Sequence, residues 1–491
     1  MRSWIGWAIA ALLFALLATA NSGGYRYGAS DQAFYGPALA KAVDPSLFPR
    51  DTAVLAPQMR MWLGDEVYAA IARTFRLEQP PLFAAIYVVT LALLGLGAVA
   101  LTRALGGSWL ATLACLALFT LRHRIAKTGA NSLEGYMHPR MLAFGVGLIA
   151  FACVLRRRWL ASILLVAVAG IVHPTTAAWF GIVVGVALLS TVVPPRVILA
   201  AVLTAGAAAV IVLLLWPTDR WPRMDAAWLG VLAEKDYLFP HEWPFYAWLA
   251  NGAYVAALVW IIRQRVTANS AAPGERHLAL GIAMLVWVFL FSVPLSAARI
   301  APVVQMQVNR IFWLLDAVTA AYLAWWLVDS AAGRASVRAR VAIVAAIALV
   351  SAARGTYVLR VETARPLVQY DLPATDWTGA MRWLQTQPAD WHVLADPAHA
   401  WKYGSSVRQA ARRDTLLESG KDSSMAMYDR DVAMRVRDRS AALVNFDSLT
   451  TEIAQRIGAH FDLDVLVSQA DRIFALPVLY RNAGFVIYDL R

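Results

Sequence analysis

Asp31 is the side chain in this sequence best placed to do chemistry. It stands in Ser30-Asp31-Gln32, soon after the first apolar run, and is followed by Ala33-Phe34-Tyr35. A carboxylate there suits the start of a helix, where exposed backbone N–H groups favour it. It equally suits a general base, provided an acceptor hydroxyl can reach it. Gly23, Gly24 and Gly28 precede it and would let backbone and substrate approach closely. Asp44 and Asp51 flank the Pro45 and Pro49 turn; they are runner-up acids or bases, and by type turn formers. The cationic counterparts are His138-Pro139-Arg140, His173-Pro174, and Arg310 after Gln305, Gln307 and Asn309. Taken singly, a His beside Pro reads as a turn residue and an interfacial Arg as a snorkelling anchor. Taken together, Asp31, His138, Arg140, His173 and Arg310 are expected on one face at similar depth. A carboxylate among cationic donors at that depth suits a lipid-linked phosphate.

Composition sets the frame for these residues. Of 491 residues, 59% are hydrophobic and 15% charged, and the mean hydropathy is +0.54. Soluble domains carry about a quarter charged residues, so the chain reads as an integral membrane protein. Cys115 and Cys153 both lie in apolar runs and read as small core residues. The net charge of +12 is mostly arginine, which fits either a biased composition or a preference for anions. No Walker loop, dinucleotide fingerprint, zinc spacing or serine-hydrolase elbow is present, so ATP-driven transport and soluble-cofactor redox chemistry lose support.

About eleven runs approach membrane-spanning length. They lie near 4–20, 82–101, 109–121, 141–155, 159–172, 175–193, 197–216, 244–262, 278–295, 310–328 and 341–353. The first ends in Ala18-Thr19-Ala20, the form of a signal-peptidase site. A retained first helix suits a multispanning chain better. With the N-terminus inside, the inner turns hold Arg103, Arg156-Arg157-Arg158, Arg196, Arg263 with Arg265, and Arg334 with Arg338 and Arg340. That is the positive-inside pattern. It places 21–80, 122–140, 217–243, 296–309 and the tail after 354 outside. The loop 122–140 departs from the pattern: Arg122, His123, Arg124, Lys127, His138 and Arg140 face a single acid, Glu134. Positive charge there works against the topology signal, which leaves two readings: a wrong span count, or an anion site at the outer boundary.

Two further segments have a definite character. In 62–75, Trp62, Leu63, Val67, Tyr68, Ile71 and Phe75 fall on one helical face, with Asp65, Glu66, Arg73 and Arg76 mostly opposite. This is the pattern of an interfacial helix. After Arg354 the charge density rises, and 371–491 reads as a soluble α/β domain with strands at 392–395, 464–467 and 485–488 and a helix at 450–459. Asn482-Ala483-Gly484 supplies the turn before the last strand.

Asp31 soon after the first span, the interfacial segment, the many spans and an external C-terminal domain together resemble the GT-C superfamily of integral-membrane glycosyltransferases, which use polyprenyl-phosphate sugars. The likeness covers the whole chain in layout and the 21–80 loop in motif. The family's acidic pairs, such as Asp-Asp or Glu-x-Asp, are replaced here by one acid in Ser30-Asp31-Gln32. The tail segments DWTGAMRWLQ and LPVLYRNAGFVIYDL also resemble tails of bacterial proteins of this layout. The fold class implied is an α-helical polytopic membrane protein, with a GT-C-like part over 1–353 and a small extracytoplasmic α/β domain over 354–491.

The implied activity is transfer of a hexosyl or pentosyl group from a polyprenyl phosphate to a glycan, lipid or protein acceptor outside the inner (plasma) membrane. Asp31 would be the general base. Arg140, His138, His173, Arg310 and Tyr35 would bind phosphate and substrate, with Asp44, Asp51 and Glu134 as secondary candidates. No cofactor and no nucleic acid are implied; the superfamily admits a divalent metal, for which one acid is a sparse ligand set. Two other classes fit the same layout. One is a transporter or flippase for an anionic lipid or glycan, with Asp316 the main ionisable group in its spans. The other is a non-catalytic envelope-assembly protein using the tail as a binding module.

The topology is directly testable. Reporters fused after Arg158 or Arg265 are expected to behave as cytoplasmic, and one fused after Arg491 as extracytoplasmic. A cytoplasmic C-terminal reporter would overturn the assignment.

Overall fold

The computed structural model describes residues 2–215, 221–330, 336–443 and 445–491. Arg334 of the last inner turn lies outside the described residues, as does position 216 at the end of the seventh run. Every expected run is helical: α1 (Arg2–Asn21), α2 (Gln79–Ala104), α3 (Trp109–Phe119), α4 (Pro139–Leu155), α5 (Trp159–Val172), α6 (Pro174–Leu189), α7 (Pro195–Leu215), α8 (Phe245–Thr267), α9 (Glu275–Ala297), α10 (Ile311–Asp329) and α11 (Val337–Tyr357). Among the described residues, seven helices are long and apolar enough to cross a membrane; α3, α4, α5 and α6 are shorter. With its small C-terminal sheet, the chain is an α-helical polytopic membrane protein.

The chain forms two compact units. The first comprises 1–25, 85–224 and 235–368, and the second 26–84, 225–234 and 369–491. The segment expected as a first loop thus belongs largely with the tail.

In the first unit, apolar residues on most sides of the helices leave few places for polar groups, and several of those present are paired. Arg265 is fully buried; its Nε donates to Glu275 Oε1 (2.6 Å) and its Nη2 to Oε2 (2.9 Å), which fixes the end of α8 to the start of α9. Its guanidinium also lies 4.2 Å from the centre of the Trp325 ring. Asn21, at the end of α1, donates to the carbonyl and hydroxyl of Ser351 (both 3.0 Å) and accepts from Arg354 (2.8 Å). Asp316, inside α10, pairs with His123 (Nε2–Oδ1 3.0 Å) beside a cavity of about 40 Å³ walled by Leu94, Leu118, Phe144 and Trp313. Between α3 and α4 the chain makes a short hairpin, Arg124–Ile125 pairing antiparallel with Ala130–Asn131.

The second unit is built on a five-stranded sheet: β1 (His392–Leu394), β2 (Asp414–Thr415), β3 (Val465–Gln469), β4 (Val478–Arg481) and β5 (Phe485–Asp489), in spatial order β2-β1-β3-β5-β4. β1 runs parallel to β2 and β3, with Val393 opposite Val465, and β5 is antiparallel to β3 and β4. Three strands and the helix Thr451–Phe461 match the sequence reading; β2 and β4 were not expected. Trp377, Met381 and Leu384 of the helix Asp376–Gln385 pack on Val393, Val465, Val467 and Ile487 to form the core. Asn482 Oδ1 accepts from the N–H groups of Gly484 (3.1 Å) and Phe485 (2.8 Å), closing the expected turn.

The helix Gly64–Phe75 differs from its expected facing. Trp62, Asp65 and Tyr68 are buried, whereas Leu63, Val67 and Phe75 are exposed. The Trp62 ring lies flat against Gly64, where a Cβ would come within 1.8 Å of the indole. That packing turns Trp62, Asp65 and Tyr68 inward and leaves the aliphatic stripe outside. An exposed apolar stripe with Arg73 and Arg76 beside it is still what an interfacial helix needs.

Asp51 joins the 26–84 segment to the tail. It is fully buried; Oδ2 accepts from Arg408 Nε (2.7 Å) and Thr415 N (2.9 Å), and Oδ1 from Arg435. Burial opposes its charge, and the Arg408 and Arg435 guanidiniums overcome that and hold the carboxyl well below its usual range. Removing one partner of such a network costs about 3–5 kcal/mol. Asp51→Ala is therefore expected to lower the thermal unfolding midpoint of the full chain in detergent by that much in stability. Asp44→Ala, at an exposed turn, should stay within about 0.5 kcal/mol of wild type.

Candidate functional site

The candidate residues fall into two groups, one in each unit. In the first unit, three helices begin near cationic side chains. His138 is the N-cap of α4 and His173 the N-cap of α6, each followed by Pro at the first helical position; Arg310 precedes α10. The His-Pro strings are therefore helix starts, with Pro where its missing N–H is harmless. His138 Nδ1 accepts from Arg140 N (3.2 Å), and His173 Nδ1 accepts from Thr176 N (3.3 Å) and faces the Thr176 hydroxyl at 3.0 Å. With Nδ1 used as an acceptor, each neutral ring carries its proton on Nε2. Loss of hydration, followed by the neighbouring charges of His138, Arg140 and Arg310, holds His173 well below the usual histidine range.

The charges of His138, Arg140 and Arg310 all reach His173, so the fold brings these three side chains near that ring. Arg140 is buried on α4; its guanidinium lies 5.3 Å from the centre of the Trp313 ring, and Nη2 stands 3.3 Å from Glu134 Oε1. Glu134 also accepts from Asn131 (3.1 Å) and stands 3.7 Å from Arg122. Helix N-termini favour negative charge through their free N–H groups and dipoles. Three of them beside two arginines and two histidines, with one carboxylate as partial counter-charge, make an arrangement suited to a phosphate.

Asp31 belongs to the second unit. It directly precedes the helix Gln32–Val43 and does not cap it through its side chain. Lys421 Nζ donates to Asp31 Oδ1 at 2.9 Å. Just upstream, Gly28 has φ +75°, and a Cβ there would come within 2.5 Å of Leu372. That glycine is required by turn geometry and packing. Tyr35 is buried, edge-on to Phe34 (4.7 Å) and Trp62 (5.6 Å).

The secondary acids are placed elsewhere. Asp44 is exposed and accepts from the N–H (3.0 Å) and hydroxyl (2.6 Å) of Ser46, as a turn former does. Asp51 is taken up in the arginine network described above. Among the described residues, no group of three or more His, Cys, Asp or Glu is placed to hold a metal ion.

Two residues beside these groups escaped the sequence reading. Lys421 carried no signal: it lies 390 residues from its partner. Asp65 was assigned to a polar face, yet both of its carboxylate oxygens are buried without a hydrogen-bond partner, as are Trp62 Nε1 and the Tyr68 hydroxyl.

No family model and no curated protein matches the chain. Solved structures similar to it include two enzymes. One is an oligosaccharyltransferase of Archaeoglobus fulgidus, 12% identical, with 94% of this chain and 69% of that one covered at a TM-score of 0.44. The other is arabinofuranosyltransferase AftD from Mycobacteria, 14% identical, with 100% of this chain but only 40% of that one covered at a TM-score of 0.45. At these scores the likeness is one of layout, and function is to be read from this chain's own residues.

Asp65 supplies a pH test of the second unit. Burial, and then the charge of Glu66, push its carboxyl up to about 8. In the unfolded chain the same group ionises near roughly 3.9. Between those values the folded state holds the extra proton, so stability falls as pH rises. Asp65→Asn removes this loss. Its unfolding midpoint relative to wild type should be higher at pH 8 than at pH 5, and an offset that does not change with pH would contradict the assignment.

Proposed function

We propose that the chain is a membrane glycosyltransferase moving a hexosyl or pentosyl group from a polyprenyl-phosphate donor to an extracytoplasmic hydroxyl. The observation that carries this reading is the convergence of His138, Arg140, His173 and Arg310 at the starts of three apolar helices in the first unit. Such a cluster suits an anion presented at the end of a lipid chain. In this reading the N-terminus is cytoplasmic and the part after residue 354 lies outside.

The reaction balances without a nucleotide. The acceptor oxygen forms a bond to the sugar's anomeric carbon as the bond from that carbon to the phosphate oxygen breaks, and configuration inverts. The electron pair leaves with the phosphate, and the acceptor proton passes to the Asp31 carboxylate. Arg140 and Arg310 offset the growing phosphate charge, and the Nε2–H groups of His138 and His173 add hydrogen bonds. The acceptor is a glycan, lipid or protein hydroxyl.

The test uses the full chain in nanodiscs, with farnesyl-phosphate-linked hexoses and pentoses as donors and octyl glycosides as acceptors. Asp31→Asn keeps the side chain's size but cannot take the proton, so turnover should fall by about 10²-fold or more with donor binding intact. Arg140→Ala or Arg310→Ala should weaken donor binding, and Lys at either position should restore part of it. Undiminished transfer by Asp31→Asn would overturn the base. Movement of the lipid across the bilayer with no sugar transfer would favour a transporter.

A further inference from the structure

Lys421 is held as a fixed charge beside Asp31. Its Nζ lies 2.9 Å from Asp31 Oδ1 and 5.8 Å from the centre of the Phe34 ring. The lysine side chain is 11% exposed and that of Asp31 31%. The carboxylate thus remains reachable by a substrate while its partner is mostly enclosed. Exposed lysine–carboxylate pairs contribute little because two mobile chains must be ordered to form them; this lysine is already ordered.

The ordering comes from the loop that carries it. Glu418 N donates to Asp422 Oδ2 (3.1 Å), Ser419 N to Pro397 O (2.7 Å), and Lys421 N and Asp422 N to Glu418 O (3.2 and 2.9 Å). Gly420, at φ +78°, lets the chain turn there. Asp422 is itself clamped by Arg408, whose Nη1 and Nη2 donate to Oδ1 (2.5 Å) and Oδ2 (3.1 Å). Charged groups near the lysine include Asp31 from the first segment and, from the tail, Glu418, with Asp422 and Arg408 anchoring the loop.

We propose that Lys421 is a positioning residue for the Asp31 base, so that the C-terminal part of the chain completes machinery begun in its first sixty residues. The proposal rests on the transferase reading above. A cation at this distance favours the ionised carboxylate, which is the form that accepts a proton. It also fixes the direction of Oδ1, and hence the plane in which the carboxylate meets an acceptor.

Lys421→Met and Lys421→Arg are compared with wild type and Asp31→Asn in the full chain, using the donors and acceptors named above. In Lys421→Met, turnover at neutral pH should fall about tenfold and the acid limb of the rate profile should move up by about one pH unit. Lys421→Arg should return the limb to its wild-type position. A lower rate with an unmoved limb would make Lys421 merely structural, and a higher rate would make it a restraint on the base; either result overturns the proposal. A second readout needs no turnover: the protonated Asp31 carboxyl adds to the electrophilic carbon of a hydrophobic carbodiimide, and the modification is followed by mass spectrometry from about pH 3 to 7. Its midpoint should rise by about one unit in Lys421→Met, and an unmoved midpoint overturns the pairing even in a protein that transfers no sugar. If Asp31→Asn transfers normally, the base reading fails and the positioning role fails with it. If Asp31→Asn is silent while Lys421→Met behaves as wild type, only the role of Lys421 is lost.

Discussion

A buried guanidinium is the constraint on which the second unit depends. Arg408 is almost wholly enclosed and lies between Asp51 and Asp422, with Glu418 3.6 Å away. Taking such charges out of water costs several kcal/mol per ion, and their attraction offsets this only with close geometry and further hydrogen bonds. Here Thr415 N and Arg435 complete Asp51, and the Glu418 N–H completes Asp422. The network cannot form from the tail alone, because Asp51 comes from the first segment. It explains why 26–84 and 369–491 belong to one compact unit although more than two hundred residues of helical bundle separate them in sequence. It also sets the loop that carries Lys421.

The first unit meets the cost of charge in another way. Its candidate anion ligands stand at helix starts, where His138 and His173 already accept from first-turn N–H groups and a cation adds to a dipole of the same sign. Positive charge accumulated at such a place is unfavourable by itself. Glu134 relieves part of it through Arg140 and Arg122, and His173 relieves more by staying neutral.

What was legible in the sequence followed from local patterns. The runs near membrane length became helices, because a long apolar segment satisfies its own backbone in any apolar surroundings. The strands at 392, 465 and 485 were readable as short buried runs, while β2 was not, since Asp414–Thr415 is two polar residues held by its neighbours. The His-Pro strings were visible as turn signals, and their role as helix starts was not. The facing of the Gly64–Phe75 helix failed for a specific reason. Periodicity places Asp65 by angle alone, but the flat packing of Trp62 on Gly64 decides which face goes inward. Lys421 and the tie from Arg408 to Asp51 lay beyond any local pattern, because Asp31 and Asp51 are hundreds of residues away.

The single acid in Ser30-Asp31-Gln32 also has a physical counterpart. Two adjacent carboxylates cannot both stay ionised without a proton or a cation between them, since each raises the other's affinity for a proton. One carboxylate beside an ammonium already has its counter-charge. In the second unit that ammonium comes from a loop anchored through Arg408 to Asp51, so the charge on Asp31 and the integrity of the unit rest on one chain of contacts. The single acid at 31 and the lysine at 421 are in this sense one electrostatic arrangement. An acid introduced at Ser30 would compete for the same ammonium, whereas the hydroxyl and amide that flank Asp31 leave its charge balance unchanged.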